Sequence, residues 1–255
     1  MIKIGVTETY DPCFDYSWVD NLKDANIIIT KNLTNKMIEE LVKHKNKCIL
    51  HFTVTGWGGT EIEPNVPIRQ QSYIQFRKLI DSGFPLGQFV LRVDPIIPNS
   101  HGLYLLSETL NMFRGMDKIR CRISILDLYR HVKDRFQDLS WRTFGNLMYK
   151  LPWWSWNIPE PIARKVIDVL SLYLDYYDFH ACAEPIFKSI DPNQDIVKQI
   201  GCVSQIDLDL LGIHEQVEGK SSQRPTCLCC ANKIQIIKRK PGRCPHGCIY
   251  CYWKD

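Results

Sequence analysis

Three cysteines lie in the last thirteen residues, RCPHGCIYCYWKD, where Cys244, Cys248 and Cys251 have the spacing C-x3-C-x2-C. Cysteine thiolates are the ligands of structural zinc and of iron–sulfur clusters. Eight of the eleven cysteines in this 255-residue chain lie from Cys182 onward. Thiols crowded in this way in an intracellular protein bind metal or carry out redox chemistry more often than they form disulfides. The distribution predicts a metal centre close to the C-terminus.

A different grouping of the thiols fits zinc. Two C-x2-C pairs, at 227–230 and 248–251, are separated by 17 residues, which matches the spacing of four-cysteine zinc sites. Four thiolates around a tetrahedral zinc would hold the C-terminal segment in place. This grouping leaves four cysteines without a role, namely Cys182, Cys202, Cys229 and Cys244.

The composition indicates a globular protein with an ordinary core, because 45% of the residues are hydrophobic and 11% are aromatic. No apolar run approaches the roughly 18–20 residues of a membrane span, and no signal peptide is evident at the start. We therefore expect a cytoplasmic protein with no membrane partner. The net charge of +4 permits a nucleic-acid partner without arguing for one.

Short apolar runs alternate with amphipathic helical patterns over most of the chain. The runs typical of buried parallel strands cover 2–8, 25–31, 47–55, 88–96, 118–128 and 177–184. The helical patterns cover 34–44, 68–83, 102–116, 141–151, 158–174 and 193–201. Thr34 is a predicted N-cap, and Gly83 is a predicted C-cap.

This repeated βα order predicts an α/β fold with parallel strands and right-handed crossovers. About six such units favour a partial TIM-like (β/α) barrel, with an open doubly wound sheet as the alternative. The barrel is predicted to span residues 1–204. Residues 205–255 are then a Cys-rich segment that packs on the barrel and carries the cluster motif. The glycine fingerprints of nucleotide-binding loops are not found.

The motif at Cys244, Cys248 and Cys251, with Tyr250 before its third cysteine, resembles the C-x3-C-x2-C signature of the radical S-adenosylmethionine (SAM) superfamily. The chain is similar to a group of small bacterial proteins that carry C-P-H-G-C-x-Y-C-Y at the C-terminus and are related to spore photoproduct lyase. The stretches that carry this resemblance are FTVTGWGGTEIEPNVP at 52–67, LRVDPIIPN at 91–99, ISILDLY at 123–129, CAE at 182–184 and the tail.

The resemblance implies a 4Fe–4S cluster held by Cys244, Cys248 and Cys251, with the fourth iron free to chelate SAM. It further implies reductive cleavage of SAM and hydrogen abstraction from a substrate, with flavodoxin or ferredoxin as the electron donor. The leading substrate is a modified nucleotide or DNA base, and the reaction is a rearrangement, isomerisation or repair of lyase or isomerase type.

Two features depart from the resembling proteins. In most of the superfamily the cysteine motif follows the first strand, whereas here it closes the chain. The related group has a Ser-Arg-Arg-Thr-Asp-like stretch after its first strand, and this chain has TETYDPCFDYSW at 7–18. The second departure bears on the carry-over of the substrate from these proteins, and it does not bear on the carry-over of the cluster.

The resemblance also implies a second, auxiliary cluster. The related group has a similar Cys-Ala-Glu, a later Gly-x-Cys and a C-x-C before the terminal motif. The corresponding ligands here are Cys182, Cys202, Cys227 and either Cys229 or Cys230. The alternative is that Cys182 and Cys202 are buried core thiols.

The predicted strand ends supply further candidates, because barrel chemistry gathers at the carboxyl ends of strands. Gly56, Gly58 and Gly59 would let a ligand approach the backbone, and Glu61 or Glu63 would receive an ammonium group. The superfamily commonly places a Gly-Gly-Glu-like strand end against the SAM amino group. The alternative is an ordinary glycine turn.

Two other strand ends carry pairs of polar residues. Arg92 and Asp94 would point to the same side of their strand, where Arg92 is suited to clamp a carboxylate of SAM or a substrate anion. A structural Arg–Asp pair is equally compatible with this spacing. Ser124 and Asp127 carry the same ambiguity. His246, inside the motif, is expected to shape its loop rather than bind metal.

Two rival functions fit the same residues. One is a zinc-stabilised nucleic-acid-binding module, whose surface would be formed by the tryptophans of LPWWSWNIP at 151–159 and the basic run at 238–243. The other is an iron–sulfur protein that transfers electrons or senses redox state without SAM.

Overall fold

A computed structural model gives the fold and describes residues 2–115, 117–127, 129–138, 158–217, 227–229, 233–240 and 244–252. The helix predicted at 141–151, the tryptophans at 153, 154 and 156, and Cys230 lie outside the described residues.

The described residues form one eight-stranded sheet in which every neighbouring pair of strands is parallel. The strands are β1 Ile4–Val6, β2 Ala25–Thr30, β3 Cys48–Thr53, β4 Phe89–Ile96, β5 Ile119–Ile125, β6 Tyr177–Ala181, β7 Val197–Gln199 and β8 Lys233–Gln235. Their order is β7-β6-β5-β4-β3-β2-β1-β8. The prediction of a parallel α/β fold is confirmed, and this sheet is compatible with a partial (β/α) barrel.

Helices connect most of these strands. Within the described ranges they are α1 Ser17–Asp20, α2 Asn35–Lys43, α3 Arg69–Asp81, α4 Ser100–Phe113, α5 Arg130–Asp138, α6 Glu160–Ser171, α7 Pro185–Ile190 and α8 Gln205–Asp209. Thr34 caps α2 as predicted, since its hydroxyl accepts a hydrogen bond from the Met37 amide at 3.2 Å. Gly83 follows α3 with a φ of +89°, the left-handed conformation of a C-terminal glycine.

Successive residues of a strand point to opposite faces of a sheet. In β5, Ile119, Cys121, Ile123 and Ile125 belong to the large core that also contains the buried faces of α2, α3, α4 and α6. The intervening β5 residues, Arg120, Arg122 and Ser124, therefore point to the opposite face. That face carries a smaller apolar cluster drawn from β1 to β4 and from the residues after β7.

One predicted helix is wrong. Residues 193–201 contain strand β7, in which Val197 is buried and pairs with Phe179 of β6. The Asp191 carboxylate accepts hydrogen bonds from the amides of Ile196 at 2.8 Å and Val197 at 2.9 Å. These contacts hold the chain extended, and a short apolar run does not distinguish a strand from a helix by periodicity.

The C-terminal segment contributes to the sheet itself. β8 pairs with β1 in parallel register, from Ile4↔Lys233 to Val6↔Gln235, and the Ile236 amide donates to the Val6 carbonyl at 3.0 Å. The predicted Cys-rich segment therefore does more than rest on the sheet, because it supplies an edge strand before the terminal motif. Among the described helices, none has the length and apolar character needed to cross a bilayer.

Candidate metal centre

A cavity of about 590 Å³ lies at the carboxyl ends of the strands. The end of each strand, or the residues that follow it, contributes to the lining. One example from each, in order from β1 to β8, is Asp11, Lys31, Thr53, Asp94, Ser124, Cys182, Cys202 and Arg239. This is where parallel α/β proteins bind ligands, because the connecting loops converge there.

The three cysteines of the terminal motif, here called the terminal thiol group, line this cavity. Burial raises the pKa of the Cys248 thiol to about 12, and burial also raises the pKa of the Cys244 thiol. A thiolate at such a position needs a compensating positive charge, and a bound metal supplies one. Cys248 is buried and Cys244 and Cys251 are half-buried, and thiols at such positions in the wall of a cavity fit a thiolate-bound metal group.

The chain around the terminal thiol group is anchored on several sides. The Ile249 amide donates to the Ile62 carbonyl at 3.1 Å, and Arg135 of α5 donates to the Cys251 carbonyl. His246 is buried, and its Nε2 lies 2.8 Å from an Asp11 carboxylate oxygen. These contacts anchor the loop, but the ligand atoms of Asp11, Cys13 and His246 also lie within 4.8 Å of one another, so this trio could itself hold a metal ion.

Tyr250 joins a buried polar cluster beside the terminal thiol group. Its hydroxyl donates to the Glu63 carboxylate and lies 2.6 Å from Lys31 Nζ. Glu63 also accepts from Lys31 at 2.8 Å and from the Thr55 hydroxyl at 2.6 Å. Burial acts to raise the pKa of Glu63, but the Lys31 charge and the hydrogen bonds from Lys31, Thr55 and Tyr250 together lower it. The ammonium that the structure brings to Glu63 is thus that of Lys31.

Gly56, Gly58, Gly59 and Glu61, all described, are not among the residues that line the cavity. Packing accounts for two of these glycines. A Cβ on Gly58 would lie 2.0 Å from the Pro67 carbonyl oxygen, and Gly56 has a φ of +88° beside Leu105. Glu61 is exposed. Their predicted contact with a ligand stays a prediction.

The second thiol group comprises Cys182, Cys202, Cys227 and Cys229, and it lines the same cavity. The sulfur of Cys182 lies 3.6 Å from that of Cys229 and 3.9 Å from that of Cys227. The sulfurs of Cys182, Cys202 and Cys229 all lie within 4.8 Å of one another. Hydrogen bonds from Cys182 and Cys229 hold the pKa of Cys202 well below its usual value. Such a group is suited to bind metal.

The predicted polar strand ends line the same cavity as the two thiol groups. Arg92, Asp94, Ser124 and Asp127 all line the cavity. Arg92 Nε donates a hydrogen bond to the Asp94 carboxylate at 2.9 Å. The two residues therefore form an Arg–Asp pair, and this pair lines the cavity.

A family model described as a domain of unknown function (DUF1848) matches residues 15–253. The chain belongs to this family. The matched stretch includes both thiol groups and seven of the eight strands, so the terminal motif is part of the family unit. No curated protein and no solved structure matches the chain.

Several residues at this site of the DUF1848 protein were not predicted from the sequence. Asp11 follows β1 and accepts from the Thr30 hydroxyl at 2.7 Å, the Lys31 amide at 2.8 Å and the Cys13 amide at 3.0 Å. Lys31 follows β2 and binds Glu63. Both are polar residues at strand ends, and that signal could have found them. Cys13 is buried, and its sulfur lies 3.9 Å from His246 Nε2.

Proposed function

We propose that this protein is a radical SAM enzyme whose 4Fe–4S cluster is held by Cys244, Cys248 and Cys251. The observation that carries the proposal is that all three thiols line one cavity at the carboxyl ends of parallel strands. When bound there, the cluster with SAM supplies a one-electron reductive cleavage that yields a hydrogen-abstracting radical. A cavity enclosed by strand ends suits this chemistry, because the reacting groups must be shielded from water.

The chain's own residues have defined roles in this proposal. The terminal thiol group would hold the cluster through its three thiolates. The Tyr250–Glu63–Lys31 cluster fixes the motif loop beside the cavity, since each member is hydrogen-bonded to another. Arg92, Asp94, Ser124 and Asp127 offer charged and polar groups to the carboxylate and amino groups of SAM or to the substrate.

The remaining assignments belong to the same proposal. The second thiol group binds an auxiliary cluster. The substrate is a modified nucleotide or DNA base, which undergoes isomerisation, lyase-type cleavage or repair. Flavodoxin or ferredoxin supplies the electron, and the reducing cytoplasm keeps the thiols available for metal.

The first test is the metal content of protein purified without oxygen, followed by EPR spectra of the reduced protein with and without SAM. We expect about four or eight irons per chain, with matching sulfide, and a spectrum that SAM alters. Stoichiometric zinc without iron would instead support the zinc-stabilised module. If the protein contains iron and SAM leaves its EPR spectrum unchanged, the result would support an electron-transfer or redox-sensing protein.

The matched pair of variants is Cys248→Ala and Cys48→Ala. Cys48 is equally buried but belongs to the helix-covered core rather than to the cavity. Cys248→Ala should abolish SAM cleavage, because two thiolates do not retain the SAM-binding cluster, while Cys48→Ala should keep it. Product chromatography measures cleavage, and circular dichroism checks the fold. SAM cleavage retained by folded Cys248→Ala would rule the proposal out.

A further inference from the structure

The sheet has two edges that a closed barrel would join. β7 and β8 stand at opposite ends of the strand order, and within the described ranges no pairing links them. Each edge strand is only three residues long. An unpaired edge leaves backbone donors and acceptors without ladder partners, so proteins usually cover or cross-link such edges. We call the boundary between β7 and β8 the seam.

The second thiol group draws its members from both sides of the seam. Cys182 follows β6 and Cys202 follows β7, whereas Cys227 and Cys229 precede β8. The sulfur distances of 3.6 Å and 3.9 Å from Cys182 to Cys229 and Cys227 therefore join chain segments on opposite sides. A metal group bound by these thiols would connect the two edges.

The backbone also closes tightly at this point. A Cβ on Gly201, which directly precedes Cys202, would lie 2.4 Å from the Leu228 carbonyl oxygen and 2.8 Å from the Cys229 amide nitrogen. Only glycine leaves room for this approach. The segment after β7 and the segment before β8 thus touch backbone to backbone without forming a ladder.

We propose that a metal group on Cys182, Cys202, Cys227 and Cys229 clasps the seam and takes the place of the missing β7–β8 pairing. By holding β8, the clasp also fixes the start of the segment that carries the terminal thiol group. The inference rests on the part of the proposed function that gives these four thiols a metal. It is independent of SAM cleavage, and it holds for zinc as well as for an iron–sulfur cluster.

Within the described residues, β8 is attached on one side of the seam. It pairs over three residues with β1, Lys233 and Gln235 contact Glu8, and Ile236 and Ile237 after it are buried in the large core. A three-residue edge strand that pairs on one side opens locally at lower free energy than a central strand unless a cross-link restrains it. Metal at the seam should therefore change the protection of β8 far more than that of the central strands.

The test is hydrogen exchange in full-length protein that carries Cys244→Ala, Cys248→Ala and Cys251→Ala, so that only the second thiol group can bind a cluster. Anaerobic samples are compared before and after metal removal by a chelator. We expect amides of Val197–Gln199 and Lys233–Gln235 to exchange about tenfold faster, or more, once the metal is removed. Amides of β3 and β4, at the centre of the sheet, should keep their rates.

The inference would be overturned if the amides of β8 exchanged at the same rate with and without metal. It would also be overturned if metal removal accelerated exchange equally across the whole sheet, or if the folded protein did not bind metal at these thiols. If the triple variant does not fold, the same comparison is made on wild-type protein, with β3 and β4 as the internal reference. If metal protects the amides of β8 from exchange but the wild-type protein does not cleave SAM, the proposed enzymatic function is rejected. The proposal that metal connects the two edges at the seam would still hold.

Discussion

At the scale of single residues, Asp207 shows how the positive charges on the polar face of the sheet are neutralised. Asp207 is fully buried, accepts a hydrogen bond from Arg120 at 2.6 Å and lies 3.9 Å from Arg122 Nη2. Burial acts to raise the pKa of Asp207, but the charges of Arg122 and Arg120, with smaller contributions from His51 and the Arg120 hydrogen bond, together lower it. Asp207 also closes a capping box with Ser204, so one carboxylate fixes α8 against β5.

Replacing this carboxylate tests its contribution. Asp207→Asn should lower the free energy of unfolding at pH 7 by about 3 kcal/mol, because the buried Arg122 and the partly buried Arg120 lose their counter-charge. Because the pKa of Asp207 is lower in the folded protein, its ionised carboxylate stabilises the fold at pH values above the ordinary carboxyl pKa of 3.8. This stabilisation is lost as the pH falls through the pKa of the folded state. The difference in unfolding free energy between Asp207→Asn and the wild type should therefore become smaller at acidic pH. Urea unfolding from pH 7 to below the ordinary pKa measures it.

The matched control is Asp209→Asn in the same helix. Asp209 is half exposed, so its replacement should change the unfolding free energy by less than about 0.5 kcal/mol. Equal effects of the two substitutions at pH 7 would contradict the buried charge balance.

At the scale of elements, the loop between β3 and α3 anchors the C-terminal segment that carries the terminal thiol group. Ile62 and Asn65 in this loop hydrogen-bond to the backbone of Ile249 and His246, and Glu63 binds Tyr250. Gly58 makes the loop possible, since its Cα lies so close to the Pro67 carbonyl that a side chain has no space. The glycine therefore positions the motif through packing.

Gly58→Ala should lower the unfolding free energy by about 2 kcal/mol, because overpacking against backbone forces the loop to shift. It should also reduce metal bound at the terminal thiol group, since the loop that anchors it moves. Denaturant unfolding and metal analysis measure the two effects. Gly115→Ala is the control, because a Cβ there meets nothing within 4 Å. Similar results for both variants would show that the close approach at Gly58 is unimportant.

At the scale of the whole molecule, the ends of all eight strands meet around one cavity that contains both thiol groups. Cys182 and Cys229 of the second thiol group are 47 residues apart in the sequence, and the terminal thiol group lies beyond both. Only the complete sheet brings them together. The metal content of the protein therefore reports on its overall assembly as well as on local ligands.

Removing one ligand of the second thiol group should remove one cluster and leave the other. We expect Cys202→Ala or Cys182→Ala to lower the iron content from about eight to about four per chain. Cys121→Ala should leave the content unchanged, because Cys121 is buried in the helix-covered core. Iron and sulfide assays on anaerobic protein decide the matter. Unchanged iron in Cys202→Ala and Cys182→Ala would exclude the auxiliary cluster.

Local sequence was sufficient for much of the fold. The apolar runs located β1 to β6, and the caps at Thr34 and Gly83 marked two helix ends, because these signals come from neighbouring residues. The strand β7 was missed, since its extended conformation depends on hydrogen bonds to the Asp191 side chain. β8 was missed as well, because three residues carry too little pattern to identify a strand.

The sequence by itself determined that the chain folds as parallel βα units and that its cysteines gather in the C-terminal third. Tertiary structure alone decided which thiols lie together and which charges neutralise one another. Cys182 meets Cys229 across 47 residues, and Lys31 meets Tyr250 across 219 residues. Such contacts depend on how strands and loops are arranged in space. Spacing along the chain, which reports on one turn or one strand at a time, does not contain that information.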